Sequence, residues 1–327
     1  MAVLTYIQAV NQALKEEMEQ NEKVFVLGED VGKKGGVFLA TAGLYDQFGE
    51  ERVIDTPLAE SAIAGVGIGA AMYGMRPVAE MQFADFILPA VNQIMSEAAR
   101  IRYRSNNDWD CPITIRAPYG AGVHGGLYHS QSVEAIFANQ PGLKIVMPSS
   151  PYDAKGLLKA AIRDDDPVLF FEHKRAYRLL KEEVPETDYT LPIGKADIKR
   201  EGTDVTVISY GLCVHYAKQA AEKLELEGIS TEILDLRTVY PLDQESIIEA
   251  ASKTGKVLLV TEDNKEGSII GEVSAIISEN CLFDLDAPIK RLAGPNAPAT
   301  SFAPPLEKEF LISADKIEQA IRDLAEF

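Results

Sequence analysis

An α/β protein built as two doubly wound domains is the fold class this sequence predicts, on three observations. Short continuous apolar runs, the pattern of strands buried on both faces, recur along the whole chain. Amphipathic helical stretches separate them, and that alternation implies parallel sheets covered by helices. Finally, the chain has 327 residues, more than the usual single domain, and one proline-punctuated polar stretch interrupts the series.

The series opens on an amphipathic pattern with Leu4, Ile7, Val10, Leu14 and Met18 on one face. Apolar runs at residues 24–27, 78–81, 113–117, 143–147 and 168–171 read as buried parallel strands, and Arg52-Val53-Ile54 as a shorter one. A helix of small residues over 61–72 follows Glu60. Another carries Ile87, Val91, Ile94, Met95, Ala98 and Ile101 at helical spacing and ends in Arg100, Arg102 and Arg104. A Ser-Ser-Pro start signal precedes a helix over 153–163. Residues 1–181 are thus expected to form the first domain, 182–202 a polar linker without periodicity, and 203–327 the second domain. In that second series strands are predicted at 205–210, 231–234 and 257–261, with helices over 213–226, 242–251 and 270–278. Gly228 and Gly255 fall at expected helix stops, and Ser313 caps a last helix that turns Ile317, Ile321 and Leu324 inward.

Composition narrows the function classes. Hydrophobic residues make up 46%, enough for sizeable cores, while no stretch approaches the ~18 apolar residues of a membrane span. The first residues lack the basic and apolar regions of a signal peptide. Cys111, Cys213 and Cys281 lie too far apart for a zinc or disulfide framework, so a reducing, cytoplasmic setting is expected. A net charge of −18 argues against nucleic acid, which requires clustered cations.

Candidate chemistry starts at Glu60, which ends the run Asp55-Thr-Pro-Leu-Ala-Glu and opens a helix. A carboxylate there either satisfies free N–H groups of the first turn or is held rigidly against a ligand, and the residues alone leave both readings open. His124 and His129 lie in Tyr119-Gly-Ala-Gly-Val-His-Gly-Gly-Leu-Tyr-His-Ser-Gln-Ser132, and their spacing of five misses a helical metal pair. The neighbouring glycines imply a loop at the carboxyl end of the strand over 113–117, where open α/β sheets bind ligands. An exposed loop histidine remains the alternative for His129, and structural or surface roles are expected for His173 and His215. Gly65-Val-Gly-Ile-Gly fails as a dinucleotide fingerprint, because Met72 stands where the third glycine belongs. The sequence holds no Walker loop and no Gly-Asp-Gly run followed by an asparagine.

At this point the residues carry a family resemblance. Gly28-Glu-Asp-Val-Gly, Gly35-Gly-Val-Phe38, Asp55-Thr-Pro-Leu-Ala-Glu60, Glu80-Met-Gln-Phe-Ala-Asp85, Ile101-Arg-Tyr-Arg104, Tyr128-His-Ser-Gln131, Pro151-Tyr-Asp-Ala-Lys-Gly156, Leu236-Arg-Thr-Val239 and Pro241-Leu-Asp243 follow one another in order over nearly the whole chain. Together they resemble the beta subunits of the thiamine-diphosphate-dependent 2-oxo acid dehydrogenases. The resemblance implies a pyrimidine-binding domain followed by a transketolase C-terminal-like domain. Glu60 matches the catalytic glutamate that hydrogen-bonds the aminopyrimidine ring of thiamine diphosphate and activates the cofactor. Leu58 and Gln82 match cofactor-site positions, and Phe86 stands where relatives often carry tyrosine. It keeps the apolar ring and lacks the hydroxyl. His129 matches the catalytic histidine that faces the incoming lipoyl group.

In the family the alpha subunit holds the magnesium and the diphosphate, which accounts for the missing Gly-Asp-Gly run. The resemblance therefore implies an α2β2 heterotetramer that docks on a lipoylated dihydrolipoyl acyltransferase core through that core's subunit-binding and lipoyl domains. A structural potassium ion held by carbonyl oxygens is implied at Cys111, Ile113, Thr114, Ala161, Asp164 and Asp166. Within the family, Gly125-Gly-Leu-Tyr128-His and Phe83-Ala-Asp-Phe86-Ile-Leu-Pro89 are most similar to the branched-chain members. That similarity implies oxidative decarboxylation of 3-methyl-2-oxobutanoate and its analogues, with acyl transfer to lipoyl-lysine. A pyruvate dehydrogenase beta subunit is the alternative substrate reading. Outside this class stand a self-contained thiamine enzyme, disfavoured by the missing diphosphate motif, and a non-catalytic partner that keeps the fold.

Overall fold

The computed structural model describes residues 1–327. It divides into two compact units, residues 1–119 with 136–193, and residues 120–135 with 194–327. The first unit begins with β1 (Ala2–Thr5), α1 (Tyr6–Gln20), β2 (Val24–Gly28), α2 (Leu44–Phe48), β3 (Val53–Asp55), α3 (Glu60–Met72) and β4 (Arg76–Glu80). It continues through α4 (Ile101–Arg104) and β5 (Thr114–Tyr119). After the short α5 (Glu134–Phe137), whose first two residues belong to the second unit, come β6 (Lys144–Val146), α6 (Pro151–Arg163), β7 (Val168–His173), α7 (Ala176–Leu179) and β8 (Lys181–Val184).

The principal strands of this unit lie parallel in the order β6-β7-β5-β4-β2-β3, while β1 pairs antiparallel with β8. They are strands because both faces are buried: Val24–Gly28, Thr114–Tyr119 and Val168–His173 have no exposed residue. α1 starts on a capping box between Thr5 and Gln8, and α6 on the Ser150 hydroxyl accepting from the Asp153 N–H. On α3, Gly67 is the glycine that packing requires, since a Cβ there would sit 2.7 Å from Ile113 Cδ1.

Two expectations for this unit need correcting. The continuous helix expected across Ile87 to Ile101 is broken into short 3-10 turns around a π-helical stretch, Asn92–Glu97. Across these changes of winding Ile87, Ile94, Ala98 and Ile101 all stay buried. Leu4, placed on the first helix by periodicity, lies in β1 instead.

The second unit contains β9 (Asp197–Arg200), β10 (Val205–Ser209), α8 (Leu212–Glu225), β11 (Thr231–Asp235) and β12 (Thr238–Tyr240). After these come α9 (Gln244–Thr254), β13 (Val257–Asn264), α10 (Ile269–Asn280), β14 (Lys290–Gly294), α11 (Pro304–Phe310) and α12 (Ala314–Ala325). Its sheet runs β14-β13-β10-β11-β9, with β9 antiparallel to its neighbour. Val205, Val207, Leu258 and Val260 pack with Val214, Ala217 and Ala221 of α8 and Ile317, Ile321 and Leu324 of α12. Gly255 adopts the left-handed cap after α9, and the Ser313 hydroxyl caps α12.

The stretch 182–202, read as linker, is not uniformly loose: β8 pairs with β1, and β9 adds an edge strand to β11. Edge strands need no apolar alternation, so composition hid both. Residues 120–135 lie with the second unit although they fall inside the stretch assigned to the first domain.

At the centre of the first sheet the Arg116 guanidinium is fully buried. It donates to Glu80 at 2.6 Å and to both oxygens of Glu172 at 2.6 and 2.8 Å, and the Tyr177 hydroxyl donates to Glu172 at 2.6 Å. Removing one member of a buried ion group leaves the others uncompensated. Arg116→Ala is expected to destabilise the chain by ~3–5 kcal/mol in urea unfolding. A loss below ~1 kcal/mol would mean that water reaches the carboxylates and the triad does not hold the sheet.

Candidate active site

In the first unit, chain connections leave β2 toward β3 on one side and leave β4 toward β5 on the other. The order therefore reverses between β2 and β4, the place where doubly wound sheets open a crevice at their carboxyl ends. Register makes those ends level, since Gly28 pairs with both Asp55 and Glu80. Glu29 follows β2, Gln82 follows β4, and Glu60 begins α3 shortly after β3.

These three side chains interact electrically. Glu29 is raised above the usual carboxylate range by burial first, and then by Asp30 and Glu60, while a hydrogen bond from Gln82 works the other way. Glu60 is buried, and no side chain caps the start of α3. Aromatic edges line the neighbourhood of Gln82: Phe83 meets Phe86 at 5.8 Å and Phe38 at 5.6 Å, both edge to face. Leu58 points outward, with 70% of its surface exposed. The loop holding Glu29 is itself pinned, because the Gly32 N–H donates to Asp55 Oδ1 at 2.6 Å. The arrangement offers a polar floor of two carboxyls and an amide beside apolar ring edges, suited to a planar heterocycle with hydrogen-bonding edges. Glu29 was missed in the sequence, although an acid directly after a buried strand was a usable signal.

In the second unit, His129 sits half-buried in the loop 120–135. The loop closes on itself through the Gly120 N–H donating to the Gln131 carbonyl at 3.0 Å and Gln131 Nε2 donating to the Leu127 carbonyl at 3.1 Å. Gly125 is held against His129, where a Cβ would lie 2.6 Å from the His129 carbonyl oxygen and 2.7 Å from its Cβ. Phe302 covers Gly126 in the same way. The His124 ring is 71% exposed, yet its Nδ1 lies 2.5 Å from the buried carboxyl of Glu307 on α11. That pairing spans most of the second unit in sequence, and no local pattern could reveal it.

Of the positions expected to hold potassium, Cys111 meets the 164–166 turn, and Ala161 lies just before it at the end of α6. The Cys111 N–H donates to the Asp165 carbonyl at 3.1 Å, and the Ala161 carbonyl accepts from the Asp164 N–H at 3.3 Å. Cationic side chains already occupy this turn: Lys144 reaches Asp164 at 2.7 Å, Arg102 reaches Asp166 at 2.5 Å, and Arg76 reaches the Asp164 carbonyl at 2.9 Å. His173 is buried and accepts from the Arg175 N–H, a structural role as expected.

Comparison with known proteins identifies the family of both units. The model for the transketolase pyrimidine binding domain matches residues 2–179, and that for the transketolase C-terminal domain matches residues 194–317. A chain described as a split gene transketolase, inactive beta4 tetramer, superposes with TM-score 0.80 over 99% of this chain and 98% of its own, at 23% identity. That likeness establishes the fold alone. The 2-oxoisovalerate dehydrogenase subunit beta of Bacillus subtilis (strain 168) is 79% identical over 327 residues, the full length of both chains.

This chain belongs to the 2-oxo acid dehydrogenase beta-subunit family.

The pyruvate dehydrogenase E1 component subunit beta of the same organism is 49% identical over 322 residues, 97% of this chain and 99% of the relative. Both of these beta subunits align with nearly all of this chain, both units included.

The close approach of Gly125 to His129 has a measurable consequence. Gly125→Ala is expected to shift the imidazole resonances of His129 while leaving those of His173 and His215 in place. With four histidines in the chain, each can be assigned by substitution. Unmoved His129 signals would show that the loop backbone does not set the ring position.

Proposed function

We propose that this chain is the beta subunit of the decarboxylating dehydrogenase component of a branched-chain 2-oxo acid dehydrogenase complex. Its substrates would be 3-methyl-2-oxobutanoate and related branched 2-oxo acids, with the acyl group passed to lipoyl-lysine of the acyltransferase core. The observation that carries the substrate reading is 79% identity over the full length to a subunit named for 2-oxoisovalerate, against 49% to its pyruvate counterpart. Selectivity of one methylene in an apolar pocket is worth only ~1–3 kcal/mol, so some turnover of pyruvate is compatible with it.

The residues at the first unit's crevice fit thiamine diphosphate at its aminopyrimidine end. Glu60 supplies a buried carboxyl for a ring nitrogen, Gln82 an amide for the polar edge, and Phe86 an apolar ring edge. When bound, the cofactor supplies a nucleophilic thiazolium carbon for cleaving the bond between the carbonyl and carboxyl carbons of a 2-oxo acid. Glu60 holds the shared proton at the pyrimidine ring nitrogen, and its rigid seat on α3 fixes where that proton lies. Glu29 stands beside it as a second carboxyl whose proton affinity is raised by burial first and then by Asp30 and Glu60. His129 donates or accepts a proton at the lipoyl sulfur during acyl transfer, work for which an imidazole is suited.

The diphosphate and its magnesium belong, in this reading, to an alpha subunit in an α2β2 assembly. The absent Gly-Asp-Gly run and the outward-facing Leu58 support it, since an apolar side chain two positions from Glu60 gains most when another chain covers it. Potassium at Cys111, Ile113, Thr114, Ala161, Asp164 and Asp166 belongs to the same proposal, with backbone carbonyls as ligands. No helix is long and apolar enough to cross a membrane, and we place the complex in the cytoplasm. Docking on the acyltransferase core's subunit-binding domain completes the assignment.

Two substitutions separate the roles in enzyme assembled with its alpha partner. Glu60→Gln is expected to slow proton exchange at the thiazolium carbon by ~10²–10⁴-fold, followed by NMR, with the fold intact. An unchanged exchange rate would leave Glu60 as a helix-terminal acid only. His129→Ala is expected to impair acyl transfer to the lipoyl domain much more than decarboxylation measured with an artificial electron acceptor. Equal losses in both assays would move His129 into the decarboxylation step.

A further inference from the structure

The second sheet has its own reversal of strand order. From β10 the chain moves to β11 on one side and then crosses to β13 on the other. The carboxyl ends of β10 and β13 therefore flank a crevice of the kind that takes ligands in doubly wound sheets. Here the loop 120–135 occupies it. At the loop's end the Tyr210 hydroxyl, one residue past β10, donates to Glu134 Oε1 at 2.8 Å and shares a hydrogen bond with Thr261 of β13 at 2.7 Å. At the loop's start the Ala121 N–H donates to Glu262 of β13 at 2.5 Å. His129 lies between these two tethers.

We propose that Glu134 is a positioning residue for His129, holding the glycine-rich loop in the second unit's crevice through Tyr210. This rests on the catalytic reading of His129 given above. Glu134 is buried, no cation pairs with it, and its Oε2 has no hydrogen-bond partner, so a charge there would be poorly compensated. The groups facing it are Tyr210 after β10, Thr261, Glu262 and Asp263 on β13, and Cys213 on α8. None is cationic. Burial, followed by the charge of Asp263, pushes the Glu134 carboxyl up to about 8, and burial lifts Asp263 to about 6. A raised carboxyl binds its proton more tightly in the folded than in the unfolded chain. Its contribution is therefore full below the ordinary value of 4.5, declines as pH rises from there, and is lost by about 8.

Amide hydrogen exchange of the full-length chain tests this, with rates expressed as protection relative to the unfolded peptide at each pH. Tyr210→Phe and Glu134→Ala are each expected to cut protection of residues 120–135 at least tenfold, with β10 and β13 unchanged. Glu134→Gln, which keeps an acceptor and a donor without charge, should retain that protection. Between pH 5 and about 8 the native loop should lose protection while that of Glu134→Gln stays level. Full protection in both Tyr210→Phe and Glu134→Ala, or equal alkaline loss in Glu134→Gln and the native chain, would overturn the proposal. Acyl transfer in the assembled enzyme should fall in step with loop protection. If protection falls and acyl transfer does not, the tether stands and the catalytic reading of His129 fails.

Discussion

The first unit depends on one buried guanidinium. Arg116 on β5 reaches Glu80 on β4 and Glu172 on β7, so a single cation ties together three adjacent parallel strands. Burial alone would lower the proton affinity of Arg116, but Glu172 and Glu80 more than offset it and the net direction is upward. Glu80 is displaced upward by burial first, with Arg116 opposing. The register then carries the constraint outward, because Glu80 pairs with Gly28, and Gly28 with Asp55. Glu29, Gln82 and Glu60 emerge from that level edge. A shift of the central strands would move all three polar groups together, so their relative spacing is a property of the sheet. Loops alone would not fix it.

The strands were legible because burial on both faces leaves a plain mark: unbroken aliphatic runs bounded by polar residues. The start of the last helix was legible for a similar local reason, since Ser313 accepts from the Lys316 N–H. Glu60 and His129 were also visible, one by its place before a helix and the other by its glycines, while their family roles came from motif resemblance. Buried charge was not legible. Arg116, Lys155 and Lys159 lie inside, and the two lysines are held by Glu16 on α1, more than a hundred residues away in sequence. A cationic side chain reads as solvated unless its partner is known, and the partner here is a matter of topology. The π-helical stretch was hidden for a different reason, because the same apolar spacing serves an α-helix and a bent one.

The ownership of residues 120–135 illustrates the same limit. Position in the chain assigns this loop to the first series, directly after β5. Its hydrogen bonds assign it to the second, through Ala121 to Glu262, Tyr210 to Glu134 and His124 to Glu307. Loops contribute to whichever sheet satisfies their polar groups, and sequence order does not decide that. Glycine content predicted an unusual backbone, and Gly120, Gly122 and Gly126 take positive φ, while Gly125 has ordinary angles and serves a close approach to His129.

Both sheets reverse strand order, and the two crevices that result are treated differently. At the first, the chain brings two carboxyls and an amide together near aromatic edges, with Leu58 exposed two positions before Glu60. At the second, the chain's own Glu134 and Tyr210 fill the space, together with Thr261 and Glu262. The physical difference lies in charge compensation. An acid that is to meet a ligand must keep an open side for the partner that will complete its hydrogen bonds. An acid sealed inside with other acids is cheapest when neutral, and as a neutral group it serves as a tether. One fold thus supplies a crevice that awaits a partner molecule and another spent on holding a loop. The carboxyls at the two places follow from that division: Glu29 is left partly exposed near a buried Glu60, while Glu134 is sealed beside Tyr210.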